Sequence, residues 1–175
     1  MKADYKKIAD KYDRTRARRA SDVDPVLIEF VKNTKSEAFR ALDLGCGTGN
    51  YLKAQIERGP SEVKWEGLDA SEDMLKVART KLPASVNLTH GTADQLPFSD
   101  SEFDFVALRA VFHHFPDKDR ELDEIHRVLR PRGWIHIRNG AYEHRKGFLT
   151  CPPGLFPFLE LGYGYSERGH HGKKA

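Results

Sequence analysis

Ten residues, Ala41-Leu42-Asp43-Leu44-Gly45-Cys46-Gly47-Thr48-Gly49-Asn50, constrain this chain more than any other stretch. An apolar run interrupted by Asp43 leads into glycines at alternate positions. Tyr51-Leu52-Lys53-Ala54-Gln55-Ile56 then has helix-forming composition. The pattern predicts a strand, a tight turn and a helix start. Glycines suit such a turn because they tolerate positive φ and carry no Cβ to hold a ligand off the backbone. Unspent N–H groups of the turn, together with the helix N-terminus, would favour an electron-rich or anionic group. The spacing is G-x-G-x-G; the dinucleotide pattern G-x-G-x-x-G would need a glycine where Asn50 stands. A ligand-free strand-to-helix turn has the same local signature, so downstream features must decide.

Size and composition narrow the classes. The chain has 175 residues, enough for one domain with one core. With 39% hydrophobic and 31% charged residues it reads as a soluble globular protein. No apolar run approaches the ~20 residues of a membrane span, and the N-terminus lacks a signal-peptide core. The two cysteines, Cys46 and Cys151, make a disulfide framework implausible, since one lies within the glycine turn. A reducing, cytoplasmic setting is expected, and no metal site. A net charge of +3 is too slight to argue for nucleic acid.

Residues 1–36 read as two helices forming a cap. Tyr5, Ile8 and Tyr12 share a face of the first; Asp22, Asp24 and Pro25 mark the start of the second, with Val26, Leu27, Phe30 and Val31 as its apolar stripe. Residues 37–140 read as the core. Strands are expected at Phe39–Leu44, Val63–Asp69, Val86–His90, Glu102–Leu108 and Trp134–Arg138, alternating with helices from Gly49 to about Arg58, from Ser71 onward, and from Asp117 to Arg130. Pro131-Arg132-Gly133 is read as ending the last helix. This order predicts a doubly wound, mostly parallel α/β sheet. Asp69 closes the second strand, where an acid can accept both ribose hydroxyls of a nucleoside cofactor; its alternative is to cap the next helix, as Ser71 also could. Ala70 and Met74 would then lie near the cofactor, Met74 at the adenine's edge.

Two motifs carry a resemblance. Asp43-Leu44-Gly45-Cys46-Gly47-Thr48-Gly49 resembles the first motif of class I S-adenosylmethionine (SAM)-dependent methyltransferases. Gly91-Thr92-Ala93-Asp94-Gln95-Leu96-Pro97-Phe98 is similar to the segment following their third strand in the small-molecule, quinone C-methyltransferase-like group. The resemblance covers about residues 5–140. It implies that Asp43, Gly45, Cys46, Gly47 and Gly49 line the cofactor, that Asp94 accepts from the adenine amino group, and that the Ala93 N–H donates to a ring nitrogen. It also implies an N-terminal helix over the cofactor, with Tyr12 and Arg16 as contacts. Asp104 resembles an acid near the start of the family's fourth strand.

The segment Arg109-Ala110-Val111-Phe112-His113-His114 leaves the fourth strand at the switch in strand order and should face the reacting group. His114, then His113, are candidate general bases because imidazole titrates near neutrality; helix capping or simple packing is the alternative for each. Arg109 is placed beside the cofactor and, with Asn139 and Tyr142, among substrate contacts. After Asn139 the family's further strands are not legible, and 141–175 reads as an irregular tail. The fifth strand would then be a bare edge, to be covered by Phe148, Leu149, Leu155, Phe156, Phe158 and Leu159 or by a second copy in a homodimer. His170 and His171 read as part of a polar end.

The expected function is methyl transfer from SAM to a small-molecule acceptor, leaving S-adenosylhomocysteine. The alternative is a SAM-binding protein without catalysis. An RNA methyltransferase, suggested by the basic N-terminal face, and an NAD-dependent oxidoreductase are disfavoured. No Asn/Asp-Pro-Pro-aromatic motif follows the fourth strand, no Pro-Cys nucleophile is present, and two cysteines are too few for arsenic chemistry.

Overall fold

The computed structural model describes residues 23–34 and 36–138 in full and the backbone of 159–161. Tyr12, Arg16, Asn139, Tyr142, His170 and His171 lie outside the described residues. Helix α1 (Pro25–Asn33) is followed by β1 (Phe39–Leu44), α2 (Asn50–Arg58), β2 (Val63–Asp69), α3 (Glu72–Arg79), β3 (Asn87–His90), β4 (Phe103–Arg109), α4 (Lys118–Val128), β5 (Leu129–Arg138) and β6 (Leu159–Leu161). Asp24 caps α1 with Pro25 at its first position, Ser71 caps α3 through the Met74 N–H, and Asp117 caps α4 through the Arg120 N–H. Among the described residues no helix is long and apolar enough to cross a membrane.

The strands form one sheet in the order β3-β2-β1-β4-β5-β6, every neighbouring pair parallel. The chain winds outward from β1 to β3, then returns to lay β4 on the other side of β1. The loops leaving β1 and β4 therefore diverge, and a crevice opens between them at the strands' C-terminal ends. Side-chain alternation sorts the core into two layers. Phe39, Ala41, Trp65, Phe105 and Ala107 face α1, α2 and α3, where Leu27, Phe30, Leu52 and Leu75 meet them. Leu42, Leu44, Val106, Leu108 and Ile135 face the other way, onto Leu122, Ile125 and Val128 of α4. Phe30 anchors α1 among Phe39, Phe105 and Trp134, at ring-centroid distances of 5.3, 5.7 and 5.5 Å.

Two expectations are corrected. Helix α4 ends at Val128, and Pro131-Arg132-Gly133 lies within β5 as an irregularity rather than a turn before it. Phe103 pairs with Leu129 but Phe105 with Trp134, so the register slips across this stretch, where Arg132 takes φ 70°. Asp104 staples the slip: its carboxylate accepts from the Arg40 N–H at 2.8 Å and the Arg130 guanidinium at 2.7 Å. That places Asp104 at the sheet's N-terminal edge, far from the crevice. The second correction concerns β5 as a bare edge. Leu159–Leu161 lies alongside it, with Ile135 opposite Leu159 and Ile137 opposite Leu161. Part of the tail therefore continues the sheet as a parallel strand.

Candidate cofactor and active site

The turn after β1 sits at the mouth of the crevice. Gly45, Gly47 and Gly49 have φ of 78°, 54° and 75°, all left-handed. Their neighbours assign them different jobs. A Cβ on Gly45 would overlap the Val111 side chain, whose Cβ would be 2.7 Å away. A Cβ on Gly47 would meet nothing within 4 Å and would project into open space. Gly45 is thus required by packing, while among the described residues nothing fills the space beside Gly47. Gly47→Ala is accordingly expected to reduce stability by only ~1 kcal/mol, the strain of a left-handed alanine, yet to weaken SAM binding ~10-fold or more. Gly45→Ala should destabilise more strongly. Chemical denaturation and calorimetric titration of both variants separate the two effects.

The hydrogen bonding of this turn differs from the expected array of unspent N–H groups. The Gly45 and Cys46 N–H groups both donate to the Leu68 carbonyl, at 2.7 and 3.0 Å, and the Gly49 N–H donates to the Cys46 carbonyl at 3.0 Å. The Gly47 N–H donates to Asp69 Oδ2 at 2.8 Å. These groups bind the turn to β2 instead of offering it to an anion. The turn therefore receives a ligand by shape. Cys46 is buried, and burial pushes its thiol well up, so it is inert packing.

Asp69 is consequently fixed before any ligand arrives. Its second oxygen accepts from the Ser71 N–H at 2.8 Å. Burial raises its pKa, opposed by these backbone donors and by His90. Two backbone donors leave about half of a carboxylate's lone-pair sites for incoming hydroxyls. Ser71 serves as the cap of α3, accepting from the Met74 N–H, so the capping role falls to Ser71 rather than Asp69. Ala70 is exposed beside Asp69 with its carbonyl 3.1 Å from His90 Nε2, and Met74 is buried on α3.

The loop after β3 brings Ala93 and Asp94 to the same end of the sheet. It is strapped down by α4: the Leu96 N–H donates to Glu124 Oε2 at 2.7 Å, and Arg127 donates to the Leu96 and Phe98 carbonyls at 2.9 and 2.8 Å while pairing with Glu124 and Asp100. Arg120 Nε donates to the Asp94 carbonyl at 3.2 Å. Thr92 and the Arg120 charge hold the Asp94 carboxyl below the usual range, so it is an acceptor at neutral pH.

On the α1–α2 face of the sheet lies a polar cluster only partly legible beforehand. Asp43 is 1% exposed, and among the described residues neither of its oxygens has a hydrogen-bond partner. Burial pushes its pKa up to about 8; the Arg109 guanidinium lowers it, and Asp69 and Asp24 raise it further. Arg109 stacks over the Tyr51 ring, 4.8 Å from its centroid. The Tyr51 hydroxyl donates to Asp24 Oδ2 at 2.8 Å, and His136 Nδ1 lies 2.7 Å from the same oxygen. The sequence reading singles out neither Tyr51 nor His136 and gives Asp24 only as a helix start. A usable signal existed for His136: a polar residue alternating with Trp134 on the inward face of an apolar strand.

The buried Asp43 makes a pH prediction. Its folded pKa is raised above the unfolded value, so the native state keeps a proton that the unfolded chain releases, and stability falls as pH rises toward 8. Asp43→Asn should flatten that decline. Thermal midpoints of both proteins at about pH 5 and about pH 8 check it.

Residues 42–137, from β1 to β5 and more than half of the chain, match the methyltransferase-domain family. The chain belongs to this family. It is 39% identical over 130 residues to a demethylmenaquinone methyltransferase of Geobacillus kaustophilus, covering 72% of this chain and 51% of that protein. It is 35% identical over 135 residues to one from Staphylococcus epidermidis, with 75% and 56% covered. The chain spans about half the length of the curated relatives it matches. Among solved structures, a SAM-dependent methyltransferase from Aquifex aeolicus is similar with a TM-score of 0.68 and 25% identity, over 88% of this chain and 81% of that one.

Within this methyltransferase fold, the segment beyond β4 presents two histidines. Ala110 takes φ 55°, uncommon outside glycine, while its N–H donates to the Arg138 carbonyl at 2.8 Å. This bend carries the chain into a short 3₁₀ helix, Phe112–His114. Phe112 and Phe115 are buried and pack together, whereas His113 and His114 are exposed with ring centroids 4.0 Å apart. The Val111 contact with Gly45 sets this segment directly against the glycine turn.

Proposed function

We propose that this chain binds SAM across the glycine turn between β1 and α2 and transfers its methyl group to a small-molecule acceptor. The observation that carries the reading is the Asp69 carboxylate, clamped by the Gly47 and Ser71 N–H groups beside the open space over Gly47. The donor set fits the cofactor. Asp69 would accept from the ribose hydroxyls, Asp94 from the adenine amino group, and Asp43 with Arg109 would meet the ammonium and carboxylate of the amino-acid end. Bound SAM supplies a sulfonium-activated methyl carbon. This chain's residues supply alignment, exclusion of water and a proton acceptor. With an acceptor carbon, His114 would take up the proton that the carbon gives up on methylation. The relatives' names point to a demethylated menaquinone as the acceptor class.

The test is to incubate the protein with SAM and a reduced demethylated naphthoquinone, and to follow S-adenosylhomocysteine and the methylated product by mass spectrometry. Product formation supports the proposal. SAM binding without turnover on a panel of quinols and phenols would favour the non-catalytic alternative, and absence of SAM binding would overturn both.

A further inference from the structure

The buried pair behind the crevice has no part in the chemistry above. Asp24 is 0% exposed and His136 3% exposed, with Nδ1 and Oδ2 2.7 Å apart. Asp24 Oδ1 accepts from the Val26 N–H at 3.0 Å, and the Asp24 N–H donates to Gln55 Oε1 at 2.8 Å. Burial raises the Asp24 pKa, but the hydrogen bond and charge from His136, with Tyr51 and the Val26 N–H, outweigh it and hold the carboxyl below its ordinary value. A buried polar pair of this kind is seldom more stabilising than apolar residues of the same volume. Its presence in a layer otherwise filled by Leu27, Phe30, Phe105 and Ala107 therefore asks for another reason.

The reason lies in what the pair holds. Asp24 starts α1, Tyr51 is on α2 and His136 is on β5, so one carboxylate ties three elements together. Asp43, Ala107 and His136 stand in register across β1, β4 and β5, so Asp43 and His136 flank Ala107 in one row. Burial pushes the Tyr51 hydroxyl well up, so it stays protonated and spends its proton on Asp24. The Tyr51 ring is thereby fixed with a face beneath the Arg109 guanidinium. A cation on an aromatic face is held in direction as well as attracted. The line of support runs from His136 through Asp24 and Tyr51 to Arg109, which lies two residues beyond Ala107, the register partner of Asp43, on the same face of β4.

We propose that Asp24 and His136 are positioning residues: acting through Tyr51, they set Arg109 opposite Asp43 so that the two receive the carboxylate and ammonium of the cofactor's amino-acid end. The inference rests on the SAM reading above. It predicts a selective defect, because the nucleoside end is gripped by Asp69 and Asp94, on other elements.

The experiment compares two ligands that share the nucleoside and thioether and differ in the amino-acid end: S-adenosylhomocysteine, and 5′-methylthioadenosine, which lacks it. Calorimetric affinities are measured for wild type, His136→Leu, His136→Asn and Tyr51→Phe. His136→Leu and Tyr51→Phe should weaken S-adenosylhomocysteine ~10-fold and leave methylthioadenosine within about twofold. His136→Asn, whose amide can still donate to Asp24, should restore most of the loss. Tyr51→Phe keeps the ring and the buried volume, so it reports even where His136→Leu fails to fold. Equal weakening of both ligands would show general structural support and overturn the proposal, as would unchanged affinity for both. Wild-type protein that binds neither ligand would overturn the SAM reading itself.

Discussion

His114→Ala is expected to lower turnover ~10²–10⁴-fold, the range for losing a positioned proton acceptor, with SAM affinity unchanged. The expectation comes from the way the segment is pinned. Phe112 and Phe115 are buried on either side of the histidines, with ring centroids 5.5 Å apart, so the short 3₁₀ helix is anchored and both imidazoles are left outside. The Val111 contact fixes the distance between this anchor and the glycine turn. In the proposed reading a base held there on a fixed backbone would act on the acceptor without touching the nucleoside, which is why rate and affinity should separate. His113→Ala is the internal control, since the two rings lie side by side with centroids 4.0 Å apart. Single-turnover rates of methylated product, measured beside calorimetric SAM affinity, decide the matter. Full activity of both variants would remove the histidines from the chemistry.

Asp69→Ala should weaken SAM by ~1.5–3 kcal/mol, roughly 10- to 150-fold in affinity. Two effects add. The ribose loses its acceptor, and the Gly47 N–H loses the partner that holds the turn open. The nominally mild Asp69→Asn should be nearly as damaging, because each oxygen of Asp69 already accepts from a backbone N–H. An amide has one oxygen to offer, and its NH₂ would face one of those donors. Calorimetry on both variants reads this directly, and unchanged affinity would refute the role given to Asp69.

The strands that frame the crevice could be read from the sequence almost residue for residue. Phe39–Leu44 and Val63–Asp69 begin and end as expected because an apolar run, a terminal acid and a glycine or serine turn all agree on the boundary. Pro25 after Asp24 likewise declared the start of α1. The misreadings share a different origin. Pro131-Arg132-Gly133 has turn chemistry, yet pairing with β4 draws it into a slipped strand. Leu159–Leu161 is too short to stand out amid glycine and proline, and only the partner edge of β5 makes it a strand. The Gly45 and Cys46 N–H groups are taken by the carbonyl of Leu68 and that of Gly47 by the Asp69 carboxylate, partners supplied by another strand. Asp24 and His136 are 112 positions apart, a separation at which no local pattern can announce a hydrogen bond. What the sequence conceals here is contact between elements; what it displays is each element alone.

Val111 occupies the volume that a side chain at position 45 would claim. The glycine turn and the segment bearing the histidines are thus two sides of one thin partition, with no slack between them. A side chain larger than glycine at position 45 would have to be matched by a smaller one at position 111. If SAM seats on the turn as proposed, any shift of the turn on filling would pass through that wall to the histidines.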